Sequence, residues 1–400
     1  MGSSRRRQRV RAALVIVTAA ITGLAAGCAS PQSETSPTSV TSAYSSPSSS
    51  VASSTSVAAA PVLACGAPQL EKMTLRQKLA QMLVVGVTGA ADAEAIVQSE
   101  QIGGIFVGSW TDKSILTSGA AKRISANSAT PLMVTVDQEG GRVSRLSALG
   151  IDSPSARQLA QTQTPAQVRQ LAASIGRQMR ALGITVDFAP DVDVSNEADD
   201  EVIGDRSFSN DPDVVAEYGA AFAAGLQSAG VTPVYKHFPG HGHGSGDSHL
   251  GVVVTPPLAS LQQSDLVPYR TLLQNPGNAA VMVGHLIVPG LTGPETPASI
   301  SPRAYGMLRT GRGYGGPAFN GVVFTDDLSG MAAISQRYPI TQAAPMAIEA
   351  GADIALWLAT DQVPAVLDSL QQQVKAGKLS VDRVNRSVVR ILRSKGVVRC

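Results

Sequence analysis

Cysteine is nearly absent from these 400 residues, with three in all, so no disulfide framework organises the chain. An excess of one charge is missing too: 32 Lys and Arg face 30 Asp and Glu. No basic stripe or charge run offers a surface to nucleic acid. The longest apolar run near the start, Ala12 to Leu24, is too short for a comfortable membrane span. No glycine-rich phosphate fingerprint follows the first strand pattern, which argues against a doubly wound nucleotide fold. Histidine is also scarce. Of only five, four fall in the segment His237–His249, beside Lys236 and Asp247.

The remaining features divide the chain into three parts. Arg5, Arg6, Arg7, Arg9 and Arg11 precede the short apolar run, which ends at Ala25-Ala26-Gly27-Cys28. Residues 1–27 therefore have the form of a secretory signal peptide. Cys28, directly after small residues, is the expected lipidation site, although Leu24 lies one place too far from it for the usual pattern. Residues 28–63 are almost all Ser, Thr, Pro, Ala and Val, with Glu34 the single charge. Such a stretch cannot bury enough apolar surface to offset its ordering entropy, and it is expected to be a tether. Together these features predict a chain lipid-anchored on the outer side of the cell membrane. Residues 64–400 carry 27 basic and 29 acidic side chains and are long enough for one large domain. Cys65 and Cys400 stand at its two ends and can pair in an oxidising compartment if the fold brings its termini together.

Short apolar runs alternate with longer amphipathic stretches from residue 64 onward. Strands are expected at Met82–Val87, Gly103–Val107, Leu132–Asp137, Ile184–Phe188, Pro233–His237, Ala280–His285, Gly321–Asp326 and Ala352–Leu358. Most lack polar alternation, as strands buried on both faces do. Helices are expected at Leu75–Leu83, Ala91–Glu100, Ser114–Ser128, Gln167–Leu182, Asp213–Ala229, Leu258–Leu273, Asp361–Ala376 and Ser380–Ser394. Thr164-Pro165 and Asp211-Pro212 are good helix starts. Eight such repeats predict an α/β fold of the (β/α)8 barrel type. In that frame Asp137, Asp187, Lys236, His237, His285, Asp326 and Asp327 all lie at strand C-terminal ends, where barrel active sites form.

The histidine cluster then admits two chemistries. His237, His241, His243 and His249 with Asp247 could ligate a metal. Against this, glycines at 240, 242, 244 and 246 place the ligands on a loop, and Lys236 brings a cation to the site. Alternatively, the cluster serves glycoside hydrolysis, which needs a nucleophile on one side of the scissile bond and a proton donor on the other. Asp326 or its neighbour Asp327 is then the candidate nucleophile. His249 is the candidate acid, oriented by Asp247 as the carboxylate orients histidine in a triad. The glycines would let this pair swing over a bound sugar.

Four segments carry a family resemblance. They are Lys236-His-Phe-Pro-Gly-His-Gly with Asp247-Ser-His249, Val136-Asp-Gln-Glu-Gly-Gly-Arg-Val-Ser-Arg145, Ile203-Gly-Asp-Arg-Ser-Phe208 and Phe324-Thr-Asp-Asp-Leu-Ser329. In order and spacing the chain resembles the β-N-acetylglucosaminidases of glycoside hydrolase family 3. The resemblance implies a barrel, a retaining mechanism and no cofactor or metal. It implies that Asp326 is the nucleophile and that His249 with Asp247 is the general acid–base. It also implies that Asp137, Arg145, Arg206, Lys236 and His237 hold the hydroxyls of the terminal sugar. The expected substrate is a carbohydrate, a GlcNAc–MurNAc fragment of peptidoglycan. A β-glucosidase or a β-GlcNAc phosphorylase is the alternative within the family, and a metal-dependent barrel hydrolase outside it.

Two departures accompany the resemblance. Many members carry a second domain, for which this chain leaves no room, and Gly330-Met331 stands where Met-Glu-Gly is common. Of the other polar residues, His241 and His243 are expected to shape the loop. Arg142 and Glu139 are expected to pair with each other, and His285 to pack behind the site. Trp110 is either a sugar platform or a loop anchor.

Overall fold

The computed structural model describes residues 59–399. Eight parallel strands close a barrel in simple sequential order. They are β1 (Leu83–Gly86), β2 (Gly104–Phe106), β3 (Met133–Val136), β4 (Val186–Asp187), β5 (Thr232–Phe238), β6 (Ala280–Val283), β7 (Val323–Asp327) and β8 (Ile354–Trp357). Parallel pairing of β1 with β8 closes the ring. All eight fall inside the expected runs or within a residue of them. Their interiors are fully buried, which is why they lack polar alternation.

Scarce aromatics plug the barrel. Phe188, just past β4, packs against Phe106 of β2 at 5.8 Å and Phe324 of β7 at 5.3 Å between ring centroids. Neither strand neighbours β4, so the three rings meet across the interior.

The two capped helix starts form as expected. Thr164 accepts from the Gln167 amide in a capping box before Pro165–Leu182, and Asp211 accepts from the Asp213 amide before Pro212–Ser228. The expected helix at Ser114–Ser128 is instead two, Ser114–Thr117 and Ala120–Ala126. Gly119 between them has φ +72°, a left-handed turn that glycine takes without steric cost. Leu258–Leu273 likewise divides into Leu258–Leu261 and Val267–Leu272. Pro302–Thr310 and Ile340–Ala350 are helices that periodicity did not mark. The second contains Pro345, a residue that helix interiors rarely hold.

The expected boundary at residue 64 needs correction. A helix spans Ala59–Glu71, beginning inside the stretch assigned to the tether. It lies near the last helix, Val381–Ser394: a Cβ on Gly66 would meet Val389 Cγ2 at 2.4 Å. Cys65 is disulfide-bonded, and its Sγ lies 3.3 Å from the Arg399 carbonyl. Its expected partner, Cys400, lies outside the described residues, as do Cys28, the signal peptide and most of the tether. Among the described residues no helix is long and apolar enough to cross a membrane.

Candidate active site

The mouth at the C-terminal ends of the strands holds a cavity of about 130 Å³. Asp137, Arg145, Arg206, Lys236, His237, His249 and Asp326 all line it, with Glu139, His241 and Met331. Asp247 stands behind His249. The barrel thus gathers every residue expected at the site, from four strand ends and the loops that follow them.

At the end of β7 the two consecutive carboxylates separate. The β7–β8 register is irregular between Phe324 and Asp327, which re-aims the side chains there. Asp327 turns back and accepts from the Ser329 amide at 2.8 Å, the Ser329 hydroxyl at 2.9 Å and the Gly330 amide at 2.8 Å. Asp326 lines the cavity. Burial alone would raise its carboxyl, but His237, His285, Lys236 and the Asp327 amide together bring it below its ordinary value. Burial leaves Asp327 above its ordinary value, against the three donors that it accepts from.

The floor of the cavity is an ion network. Lys236, almost fully buried, donates to Asp137 at 2.8 Å and contacts Glu139 at 2.5 Å. Arg206 grips Glu139 through two bonds of 2.8 and 3.0 Å and lies 3.3 Å from Asp191. Burial opposes the charge on Glu139, yet Arg206 and Lys236 hold its carboxyl well below the usual range. Lys236 is raised despite burial by Asp137 and Glu139. The expected pairing of Glu139 with Arg142 does not occur. Arg142 instead reaches Asp205 at 3.1 Å and the carbonyls of residues 200–203. Two of the three Lys236 donors are committed within the protein, so one remains to meet a ligand.

The four clustered histidines have four different surroundings. His237 Nδ1 lies 2.7 Å from Asp193, and burial pushes its pKa down to about 4, so the ring is neutral. His241 is buried, its amide donates to Asp193 at 2.7 Å and its ring faces Ser248 at 3.3 Å. His243 pairs with buried Asp265 at 2.9 Å, which raises its pKa. His249 is the most exposed of the four, its side chain 63 % accessible. Asp247 accepts from both its amide (2.8 Å) and its Nδ1 (2.7 Å). Burial acts upward on Asp247, but the bonds from His249 leave it lowered. These rings do not converge on one point. Among the described residues, the only group whose atoms could surround a metal is Asp191, Asp193 and His237. Asp193 is already the acceptor for His237 and His241, and the Arg206 cation stands against Asp191.

The glycines of this loop are not hinges throughout. A Cβ on Gly240 would lie 2.3 Å from Asp265, and one on Gly242 2.0 Å from the Val194 carbonyl. These glycines permit close packing. Only Gly246 and Gly251 of this loop stand in open space, one on each side of Asp247 and His249. Between them, the carbonyls of Ser248 and His249 accept from the amides of Ala333 and Ala332, just past β7.

Asp193 escaped the sequence reading, whereas Asp187 was expected at a strand end and Glu139 was expected to pair with a different cation. Asp193 holds His237 and His241, and only the three-dimensional fold shows it. Asp187 receives the Gln138 amide at 2.9 Å, and burial raises it well above its ordinary value. His285 packs behind the site as expected, between Ser299 Oγ and the Asp327 carbonyl, 2.7 Å from each. Trp110 is 46 % exposed and packs on Phe106 at 5.9 Å.

A closed parallel barrel whose mouth joins an ionised carboxylate, a histidine–aspartate pair and a polar cavity is the architecture of a barrel glycoside hydrolase. Residues 74–394 match the glycosyl hydrolase family 3 N terminal domain, and the chain belongs to glycosyl hydrolase family 3. It is 58 % identical over 332 residues to the beta-hexosaminidase LpqI of Mycobacterium tuberculosis, covering 83 % of this chain and 84 % of the relative. The solved structure of a family member from Mycobacterium smegmatis superposes with a TM-score of 0.81 at 57 % identity, covering 82 % of this chain and 99 % of that one. A family 3 beta-N-acetylglucosaminidase from Paenibacillus matches with a TM-score of 0.74 at 33 % identity, over 81 % and 63 % of the two chains.

Proposed function

We propose that this family 3 β-hexosaminidase is a retaining exo-β-N-acetylglucosaminidase. It removes a terminal non-reducing GlcNAc from GlcNAc–MurNAc fragments of peptidoglycan. Family membership and the 58 % identity to a beta-hexosaminidase support the β-hexosaminidase activity. One observation carries the finer reading: Asp326 and His249, 77 residues apart in sequence, border a single small cavity whose floor is an ion network. A cavity of this size suits one terminal sugar better than a continuous chain.

In this reading Asp326, kept ionised by the Lys236 cation and the Asp327 amide, attacks the anomeric carbon and forms a glycosyl ester. His249 gives its proton to the leaving oxygen, then takes one from the water that releases the sugar. Asp247 fixes the imidazole tautomer and stabilises the imidazolium. Asp137, Arg145, Arg206, Lys236 and His237 hold the hydroxyls. The enzyme acts on the outer side of the membrane, tethered through Cys28.

The test is kinetic. Asp326→Ala is expected to abolish hydrolysis of an aryl β-GlcNAc with the fold intact; retained turnover sinks the assignment. His249→Ala is expected to impair GlcNAc–MurNAc by roughly 10²-fold or more, and an activated aryl substrate far less, because a good leaving group needs little protonation. Equal losses on both would refute the acid role. An aryl glucoside hydrolysed faster than the aryl GlcNAc would move the enzyme to the β-glucosidases.

A further inference from the structure

Among the described residues, the exposed large hydrophobic side chains are Trp110, Leu250, Val252, Val254, Val381 and Val397. Three of these six lie on the segment that follows His249, and Leu250, at 80 %, is the most exposed of all. They alternate: Leu250, Val252 and Val254 face outward, whereas Val253 is fully buried beside Leu286. Leu250 projects from the turn that carries His249, and Val252 and Val254 follow it along the segment that leads into and forms the short strand Val253–Val254. Solvent-facing apolar residues grouped in this way mark a contact surface.

The segment is fixed to the catalytic pair. The Asp247 carboxylate takes the amide and Nδ1 of His249, while the Asp247 carbonyl takes the amides of Leu250 at 3.0 Å and Gly251 at 3.1 Å. One turn thus carries both the proton donor and Leu250. Ser245 clamps the far end, its amide donating to the Val254 carbonyl and its hydroxyl accepting from the Val254 amide.

We propose that Leu250, with Val252, forms the wall of the leaving-group subsite and receives the methyl of a lactyl ether. The inference rests on the role of His249 given above. A general acid must stand within hydrogen-bond reach of the oxygen it protonates, so the group leaving on that oxygen lies beside the residue next to the acid. In GlcNAc-β-1,4-MurNAc that oxygen is O4 of MurNAc, and the lactyl ether hangs from the adjacent carbon. In a GlcNAc leaving group the same carbon bears only a hydroxyl. An apolar wall at this place therefore favours the lactyl-bearing sugar, without touching the sugar that is cleaved off.

The test is a ratio, kcat/KM on GlcNAc-β-1,4-MurNAc divided by kcat/KM on GlcNAc-β-1,4-GlcNAc. Effects on the cleaved sugar cancel in it. The wild type is expected to favour the MurNAc compound. Leu250→Ser is expected to lower the ratio by roughly 10-fold, the size of a small apolar contact. Leu250→Met, which keeps the contact, and Val381→Ser, on the distant last helix, are expected to retain the ratio. An unchanged ratio in Leu250→Ser, or no preference in the wild type, overturns the wall while leaving the glycosidase reading intact. Failure of the wild type to cleave either disaccharide overturns that reading, and the wall with it.

Discussion

Asp326 and Asp327 are chemically identical neighbours, yet the backbone irregularity at the end of β7 gives them separate tasks. One is spent on three hydrogen bonds that shape the following turn; the other faces Lys236 and His237 across the cavity. Residue by residue, the site works by such divisions. Four histidines close in sequence become a neutral ring on a buried aspartate, two loop anchors and one accessible ring held by Asp247. The neutral ring gives a pH prediction. The folded pKa of His237 is about 4, below its ordinary 6.5. The unfolded chain therefore binds the extra proton first as pH falls, and stability is lost between about 6.5 and 4. Raised Asp187, Asp191 and Asp193 act in the opposite sense, so a variant comparison is needed. In denaturant unfolding from pH 7 to pH 4, the wild type is expected to lose up to a few kcal/mol more than His237→Asn. Identical slopes would refute this.

At the scale of elements, the barrel separates a catalytic end from a stabilising one. Asp353, at the entry to β8, is fully buried and gathers Arg309, Arg383 and Arg390. It also accepts from the Val323 amide at the start of β7 at 3.0 Å and from Ser387 on the last helix at 2.6 Å. Burial would raise it, but the three arginines hold its pKa at about 2. This carboxylate ties two strands and two helices together away from the mouth. Asp353→Ala leaves three largely buried guanidinium groups without their anion, and is expected to cost about 3–5 kcal/mol with little change in KM. Urea unfolding showing a loss below about 1 kcal/mol would remove Asp353 from this role. The helices that escaped sequence reading, such as Ile340–Ala350, belong to this level. Packing against the barrel forms them despite weak local patterns.

For the whole molecule, parallel closure brings the first and last elements together, with the disulfide-bonded Cys65 beside the penultimate residue Arg399. The proposed lipid on Cys28 is tested at this scale. The full chain expressed in a lipoprotein-processing host is expected to partition into the detergent phase of Triton X-114. Cys28→Ser is expected to move to the aqueous phase, and an unmodified wild type in the aqueous phase would refute the anchor.

By itself the sequence determined what is local or periodic. Buried parallel strands must be continuously apolar, so all eight could be located. Asp247 and His249 are two residues apart, so their bond is a property of one turn. Thr164 and Asp211 needed only the next few residues to cap their helices. Tertiary structure decided what depends on residues distant in the chain. It paired Glu139 with Lys236 and Arg206 instead of Arg142, set Asp193 beneath His237 and His241, and turned Asp326 inward while Asp327 turned back. The physical reason is that a buried charge takes its partner from whatever the fold packs against it, and sequence spacing records nothing of that neighbour.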